Sequence, residues 1–268
     1  MTQVQARKSL GQNWLIDDGL VRRIVQAAEI GPDDVVIEIG AGTGALTRHL
    51  VGSSARVIAI ELDGRLLEYL PVHPNLTVIQ ADALQLDYAA IAGLLPGQHV
   101  CFVGNLPYYI TSALVRKMLE SDLPTRTVVI TVQLEVALRI VAEPGSLSIL
   151  AVSIQYYGTP VLLFRLPASA FRPQPTVDSA VVRIVPHKQK SAVSPERFFE
   201  VVRAGFSQPR KQLRNPLSAG LSISKSEADA VLQRAGINPM RRAETLSVSE
   251  WEALTLAHIQ KTSGEDRI

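Results

Sequence analysis

The feature that most constrains this chain is an alternation. Between residues 34 and 132, short β-branched runs alternate with stretches of helical pattern, the signature of βαβ units and a mostly parallel sheet. Asp34–Ile39 (DVVIEI) reads as a buried strand bounded by Gly31-Pro32 and Gly40, and Arg56–Ile60, Leu76–Gln80, His99–Val103 and Val128–Val132 repeat the pattern. Two further apolar segments, around Ile149–Tyr157 and Val177–Val185, bring the expected sheet to seven strands, with the loop Phe171-Arg-Pro-Gln-Pro-Thr176 between them. Helices are expected over Asp18–Glu29, capped by Asp17 or Asp18, and over Ala45–Val51, Ser112–Glu120 and Leu134–Ala142.

The pattern changes after residue 186. Residues 186–195 (PHKQKSAVSP) are polar, proline-flanked and linker-like. Beyond them Pro195–Phe206, Arg210–Leu217, Ser226–Ala235 and Ser249–Ile259 read as helices, with Ser194 and Ser249 as caps. Two domains are therefore expected, an α/β domain over 1–186 and a helical one over 187–268. With 47% hydrophobic residues in 268, the chain has enough apolar surface to offset its entropy, which excludes general disorder. Its densest apolar stretch, Leu147–Ile154, falls far short of the ~20 residues a bilayer span needs. No membrane association and no secretory signal are expected. The single cysteine, Cys101, makes no internal disulfide or cysteine metal site, which fits a reducing cytoplasm. No metal site is expected.

The first strand runs into Glu38-Ile-Gly40-Ala-Gly42-Thr-Gly44-Ala45. Glycines at a strand-to-helix turn let the backbone approach a ligand and expose helix N–H groups. Gly40, Gly42 and Ala45 also satisfy the G-x-G-x-x-A dinucleotide pattern, and an acid, Glu61, follows 21 residues after Gly40 at the end of the second strand. A carboxylate there accepts from both hydroxyls of a ribose. NAD and S-adenosylmethionine both carry that ribose, so Glu61 alone does not discriminate. Other features favour the methyl donor. More than 30 residues, including a helix, precede the glycine loop. Asp82 follows the third strand, placed to accept from an adenine amino group. The fourth strand ends in Asn105-Leu106-Pro107-Tyr108. Ligands of open α/β sheets bind at the carboxyl ends of strands, where all these elements fall.

Asn105-Leu-Pro-Tyr108 resembles the Asn/Asp-Pro-Pro-Tyr motif of amino-methyltransferases acting on exocyclic nitrogens. The lone pair of an adenine N6 is delocalised into the ring, so that nitrogen is a poor nucleophile. The Asn105 side-chain oxygen and a main-chain carbonyl of the turn can accept both N6 hydrogens and favour a more pyramidal nitrogen. Pro107 rigidifies the turn, and Tyr108 offers a face on which an extruded base stacks, worth roughly 1–3 kcal/mol. Phe171 is a candidate for the opposite side of the same base, or else a core aromatic beneath its proline loop.

The ordered strings Ser9-Leu-Gly-Gln-Asn-Trp-Leu-Ile-Asp17, Glu38–Gly44, Ala59-Ile-Glu-Leu-Asp63, Asn105–Tyr108, Val132–Ala137, Phe171–Ser179 and Arg241-Arg-Ala-Glu-Thr-Leu246 carry a closer resemblance. Over residues 7–260 the chain resembles the KsgA-type small-subunit rRNA adenine N6,N6-dimethyltransferases of the rRNA adenine dimethylase family. The resemblance implies a class I, Rossmann-like S-adenosylmethionine-dependent methyltransferase fold with a small all-helical C-terminal domain. It implies dimethylation of two adjacent adenines in a hairpin loop near the 3′ end of the small-subunit rRNA, within the 30S particle, by a chain expected to be a monomer. It assigns Asn13 and Leu15 to a segment closing over S-adenosylmethionine, Gly40 and Gly42 to its methionine and ribose portion, Glu61 to the ribose hydroxyls and Asp82 to its adenine. It places Asn105 at the transferred methyl and target amine, with Leu106 contributing a carbonyl. There are departures: Ala41 stands where the family often has proline, Tyr109 where it often has asparagine, and Thr111 where it has serine. The segment after Pro144-Gly145 is about two residues shorter than usual. Pro209 and Pro216 interrupt a region where the family tends to have Arg and Asn, which implies a shorter helix and fewer phosphate contacts.

Residues 1–185 carry 14 Lys and Arg against 16 Asp and Glu, whereas residues 186–268 carry 13 against 9. That basic excess suits a polyanion. Arg203, Arg210, Lys211 and Arg214, spaced to share one side of a helix-loop-helix, with Arg7, Lys8 and Arg172, are expected to contact RNA phosphates, which position the RNA without reading its sequence. The rival reading within the class is an Erm-type 23S rRNA adenine methyltransferase conferring macrolide resistance. A DNA adenine methyltransferase is disfavoured, since no separate sequence-reading domain is evident. Outside the class, the rival is an assembly factor of the small subunit in which methyl transfer is secondary or lost.

Overall fold

The computed structural model describes residues 4–53, 56–107, 110–189 and 191–265, the side chains of Lys8 and 261–265 excepted. In chain order its main elements are β1 (Trp14–Leu15), α1 (Asp18–Ala27), β2 (Val35–Ile39), α2 (Thr47–Leu50), β3 (Arg56–Glu61), β4 (Leu76–Gln80), α3 (Tyr88–Ala92), β5 (Val100–Asn105), α4 (Thr111–Glu120), β6 (Thr125–Gln133) and α5 (Leu134–Ile140). There follow α6 (Ile149–Tyr157), β7 (Gly158–Leu166), β8 (Phe171–Arg172), β9 (Ser179–Pro186), α7 (Pro195–Phe206), α8 (Arg214–Gly220), α9 (Lys225–Arg234) and α10 (Val248–Glu265). Two compact units result: Met1–Leu138 with Gly158–Pro186, and Arg139–Tyr157 with His187–Ile268. The second unit is thus more than the segment after residue 186, because residues 139–157 join it.

The first unit is built on a seven-stranded sheet in the order β4-β3-β2-β5-β6-β9-β7. The pairs among β4, β3, β2, β5 and β6 are parallel, and β9 runs antiparallel to both β6 and β7. Central parallel strands are covered on both faces, which is why β2 is buried at all five positions and reads as apolar except for Glu38. Alternation directs Val36, Val57, Val103, Val129 and Val181 to one face, where Val21 and Ile24 of α1 pack with them. The alternate positions include Phe102, whose ring meets Tyr88 of α3 at 5.3 Å. Asp17 is the cap of α1: its Oδ1 accepts from Leu20 N at 3.0 Å. The strand order reverses between β2 and β5, and the carboxyl ends at such a switch point form a crevice.

One expected strand is a helix. Ile149–Tyr157 forms α6, and the seventh strand is the following segment, Gly158–Leu166. A short apolar run fits a buried strand and a buried helix equally; here Ala151, Val152 and Tyr156 pack into the core of the second unit. There Tyr156 stacks on Phe198 with ring centroids 4.2 Å apart and donates its hydroxyl to Val193 O at 2.6 Å. The helix expected from Arg210 begins only at Arg214, and Pro216 lies in its first turn, where a missing N–H is tolerated. Ser247, not Ser249, caps α10: its hydroxyl accepts from Glu250 N at 3.2 Å while Glu250 accepts from Ser247 N at 2.8 Å. Arg241, in the motif shared with the family, serves this corner, donating to Glu250 at 3.1 Å and accepting from Leu213 N at 2.8 Å. The Glu244 carbonyl receives the N–H groups of Gly145 and Leu147, which anchors the shortened loop within the same unit. Among the described residues, no helix is long and apolar enough to cross a membrane.

Gly205 shows how tightly this core is filled. A Cβ there would lie 2.4 Å from Cη2 of the fully buried Trp251. Gly205→Ala gains about 1 kcal/mol of helix propensity, but overpacking against an immobile indole costs roughly 1–3 kcal/mol. The variant is expected to unfold at a lower temperature than wild type in calorimetry, opposite to the outcome propensity alone dictates.

Candidate active site

The carboxyl ends of β2, β3 and β5 and the loop after β4 open into one cleft of about 780 Å³, its open mouth included. Gly40, Gly42, Glu61, Asp82, Asn105, Leu106 and Pro107 line it, and Leu10–Trp14 form a further wall.

Left-handed backbone makes the glycine loop. Gly40 has φ 76° and Gly42 φ 58°, a region side-chain-bearing residues rarely adopt. A Cβ on Gly42 would approach Trp14 Cδ1 to 3.2 Å, so the loop and the N-terminal wall meet at close range. The Gly42 N–H donates to Glu61 Oε2 and the Asp63 N–H to Glu61 Oε1, both at 2.8 Å. Glu61 is nearly buried, so these two bonds fix its plane and leave the second lone pair of each oxygen for a ligand. Asp82 closes a turn by accepting Leu84 N at 2.9 Å. Two groups hold that turn from behind: Tyr88 donates to Ala83 O at 2.9 Å, and Lys117 to Leu84 O at 2.8 Å.

At the tip of β5, Asn105 donates through Nδ2 to the main-chain carbonyl of Asn13 at 2.8 Å. The donor end of the amide is thus occupied, which leaves Oδ1 as the acceptor. The turn that follows is fastened at Leu106 N, which donates to Thr131 O at 3.2 Å. It is fastened again at Pro107 O, which receives Ile110 N at 3.2 Å and Thr111 Oγ1 at 3.1 Å. Threonine here provides the same hydroxyl as the family's usual serine. Gly104 was not singled out from the sequence, yet a Cβ on it would stand 2.7 Å from Ile39 O, so a glycine lets β5 lie this close to β2.

Leu15 and Phe171 are not in the cleft. They face each other across the β1–β8 pair, and both side chains are buried in the apolar cluster with Val21, Leu46 and Val103. Burial of aromatic and aliphatic surface outweighs exposure at a polar mouth, so Phe171 takes the core position its surroundings favour. Tyr108 and Tyr109 lie outside the described residues, as does the side chain of Lys8. Of the basic residues, Arg172, Arg203, Arg210 and Lys211 are exposed. Arg214 pairs with Asp229 at 3.3 Å and Arg7 with Asp63 at 3.7 Å. Arg210 and Lys211 sit in the turn ahead of α8, where the sequence predicts a helix from Arg210. Gln12 and Trp14 line the cleft as well; they lie inside the quoted string Ser9–Asp17, but nothing in their residue types marked them.

An open α/β sheet of this strand order, with a glycine loop after its first long strand and acids at the next two strand tips, defines a class I methyltransferase. Comparison with known proteins narrows the class. Residues 3–257 match the ribosomal RNA adenine dimethylase family, and the chain belongs to that family. It is 43% identical over 265 residues to the ribosomal RNA small subunit methyltransferase A of Dehalococcoides mccartyi, covering 96% of this chain and 90% of the relative. The protein of the same name from Bacillus mycoides is also 43% identical, covering 94% and 91%. A dimethyladenosine transferase from Plasmodium falciparum has the same fold, with a TM-score of 0.80 at 24% identity over 92% of this chain and 98% of that one. The 23S rRNA methyltransferase ErmE gives a TM-score of 0.71 at 29% identity, covering 91% and 99%.

One acid in the site does not touch the cleft's mouth. Glu38 is fully buried, accepts from Thr47 Oγ1 at 2.7 Å through Oε2, and leaves Oε1 without a hydrogen-bond partner. Burial, reinforced by the nearby Glu61 carboxylate, pushes its carboxyl up to about 8 from an ordinary 4.5. The folded chain therefore binds this proton more tightly than the unfolded chain, so its contribution to stability is complete below pH 4.5 and is lost as the pH rises to about 8. Glu38→Gln is expected to flatten the decline of unfolding free energy across that window in denaturant titrations; an unchanged slope would contradict a buried, protonated Glu38.

Proposed function

We propose that this chain transfers methyl groups from S-adenosylmethionine to N6 of two adjacent adenosines in the hairpin loop near the 3′ end of small-subunit rRNA, acting as a monomer on the 30S particle in the cytoplasm. The convergence of Glu61, Asp82 and the tethered Asn105 amide in one cleft carries this reading. The residues present suit the donor. The carboxylate of Glu61 takes the ribose hydroxyls, Asp82 the adenine amino group, and the Gly40–Gly42 loop lies close enough for main-chain contact with the methionine portion.

When bound, the donor supplies a methyl group already activated on a sulfonium. What remains for the protein is positioning and electrostatics. Asn105, oriented by Asn13 O, accepts one N6 hydrogen through Oδ1, and the Leu106 carbonyl accepts the other, so the nitrogen lone pair is drawn toward the methyl. The stacking role expected of Tyr108 falls outside the described residues and rests on the sequence. The exposed Arg203, Arg210, Lys211 and Arg172 are the cations available for phosphate contact. Arg214 and Arg7 are the weaker candidates, since each is engaged with a carboxylate.

The test is transfer of labelled methyl to unmethylated small and large subunits side by side, with the modified base mapped. Four methyl groups per small subunit are expected, two on each of two adjacent adenines. Asn105→Ala is expected to slow transfer by about 100-fold or more. Labelling of the large subunit instead would favour the Erm-type reading, and tight binding without any transfer would favour an assembly factor.

A further inference from the structure

Two residues after the ribose acid lies a second carboxylate, Asp63, which the proposed reaction does not use. It is 3% exposed, and donors from two distant parts of the chain surround it. Arg65 donates to Oδ2 at 2.6 Å through Nη2 and to Oδ1 at 2.9 Å through Nε. Gln12 donates to Oδ2 at 3.1 Å, and the Arg7 guanidinium stands 3.7 Å from Oδ1. The same contacts reach further along the N-terminal segment. Arg65 extends to the Gln5 carbonyl at 3.5 Å, and Gln12 Oε1 accepts the Arg7 N–H at 2.7 Å. Residues 5–12 are thereby fastened to the Asp63 carboxylate through Arg7 and Gln12 and to its partner Arg65 through the Gln5 carbonyl, and Leu10–Asn13, which they lead into, form a wall of the cleft. The Asp63 N–H is also one of the two groups that fix Glu61.

We propose that Asp63 is a positioning residue for donor binding: its carboxylate clasps residues 5–12 against the ribose side of the cleft, while its main chain sets the acid that meets the ribose. The proposal rests on the reading that the cleft takes S-adenosylmethionine. Closure of the wall and orientation of Glu61 then share one element, so loosening the clasp weakens the hold on the donor directly and reaches the target amine only through Asn13 and Asn105. The Arg65 guanidinium holds the Asp63 carboxyl far below the usual carboxylate range, so the clasp stays charged at any working pH. No residue of the clasp contacts the target amine, and the route to it runs through Asn13, whose carbonyl orients Asn105, which predicts a larger effect on donor KM than on kcat.

Asp63→Asn keeps size and turn-capping ability but removes the charge and turns one end of the side chain into a donor facing other donors. Gln12→Met keeps length and removes the amide, and carries the test should Asp63→Asn fail to fold. S-adenosylhomocysteine is the probe. Its Kd by calorimetry is expected to rise tenfold or more in Asp63→Asn and several-fold in Gln12→Met, with the double variant no weaker than Asp63→Asn alone. The donor KM rises in step, and kcat at saturation falls by a smaller factor. In wild type the probe is expected to slow tryptic cleavage after Arg7 and Lys8, read by mass; in the variants that protection is lost. Wild-type affinity in both variants, or weakened affinity with tryptic protection intact, would overturn the clasp alone. Failure of wild type to bind the probe would instead overturn the reading of the cleft and the clasp with it.

Discussion

The two main-chain N–H groups that hold the Glu61 carboxylate at the tip of β3 are the constraint on which the site depends. One comes from Gly42, in the loop after β2, and the other from Asp63, beyond β3 itself. The first is in place only if β2 and β3 pair in the observed register, Ile39 beside Ile60, and only if Gly40 and Gly42 adopt left-handed backbone, while the second is local to the turn after β3. The parallel sheet, the glycine turn and the acid therefore form one geometric unit. A nearly buried carboxylate fixed in this way meets a ligand hydroxyl without reorganising, which is how a rigid scaffold turns strand pairing into recognition. The Asn105 amide repeats the principle at the tip of β5, with a main-chain carbonyl taking its donor end.

Much of this was legible from residue types. The β-branched runs gave the central strands because such strands are apolar on both faces, and the acids and amide at their ends stood out by contrast. Asp17, Asp82 and the glycine string declared themselves through local chemistry. The failures share a different cause. Ile149–Tyr157 is apolar enough for a strand, and its partners in the second unit make it a helix; Gly158–Leu166 (GTPVLLFRL) lacks strict alternation and carries Pro160, so its sequence does not mark it as a strand. Phe171 lies in an aromatic-and-proline context that fits a base-stacking side chain and a core side chain alike, and packing selected the core. Asp63 and Gln12 are 51 residues apart, so nothing in either local string announces that they meet.

The basic residues teach a similar lesson about charge. A count assigns the excess to residues 186–268, but it does not separate cations that face solvent from cations already committed. Arg214 to Asp229 and Arg241 to Glu250 are committed within the second unit, where they organise helix ends. Arg203, Arg210 and Lys211 remain exposed. The helix begins at Arg214, after Pro209 and with Pro216 in its first turn, and Arg210 and Lys211 are carried on the turn before it.

Whether the crevice at the tips of β2 to β5 takes a nucleoside thioether or sulfonium, rather than the dinucleotide its glycine spacing also permits, is decided most directly by titrating the chain with S-adenosylhomocysteine and with NADH in the same calorimeter. Saturable heat with the first and none with the second is the result this account predicts. Uptake of NADH with no response to S-adenosylhomocysteine would contradict it.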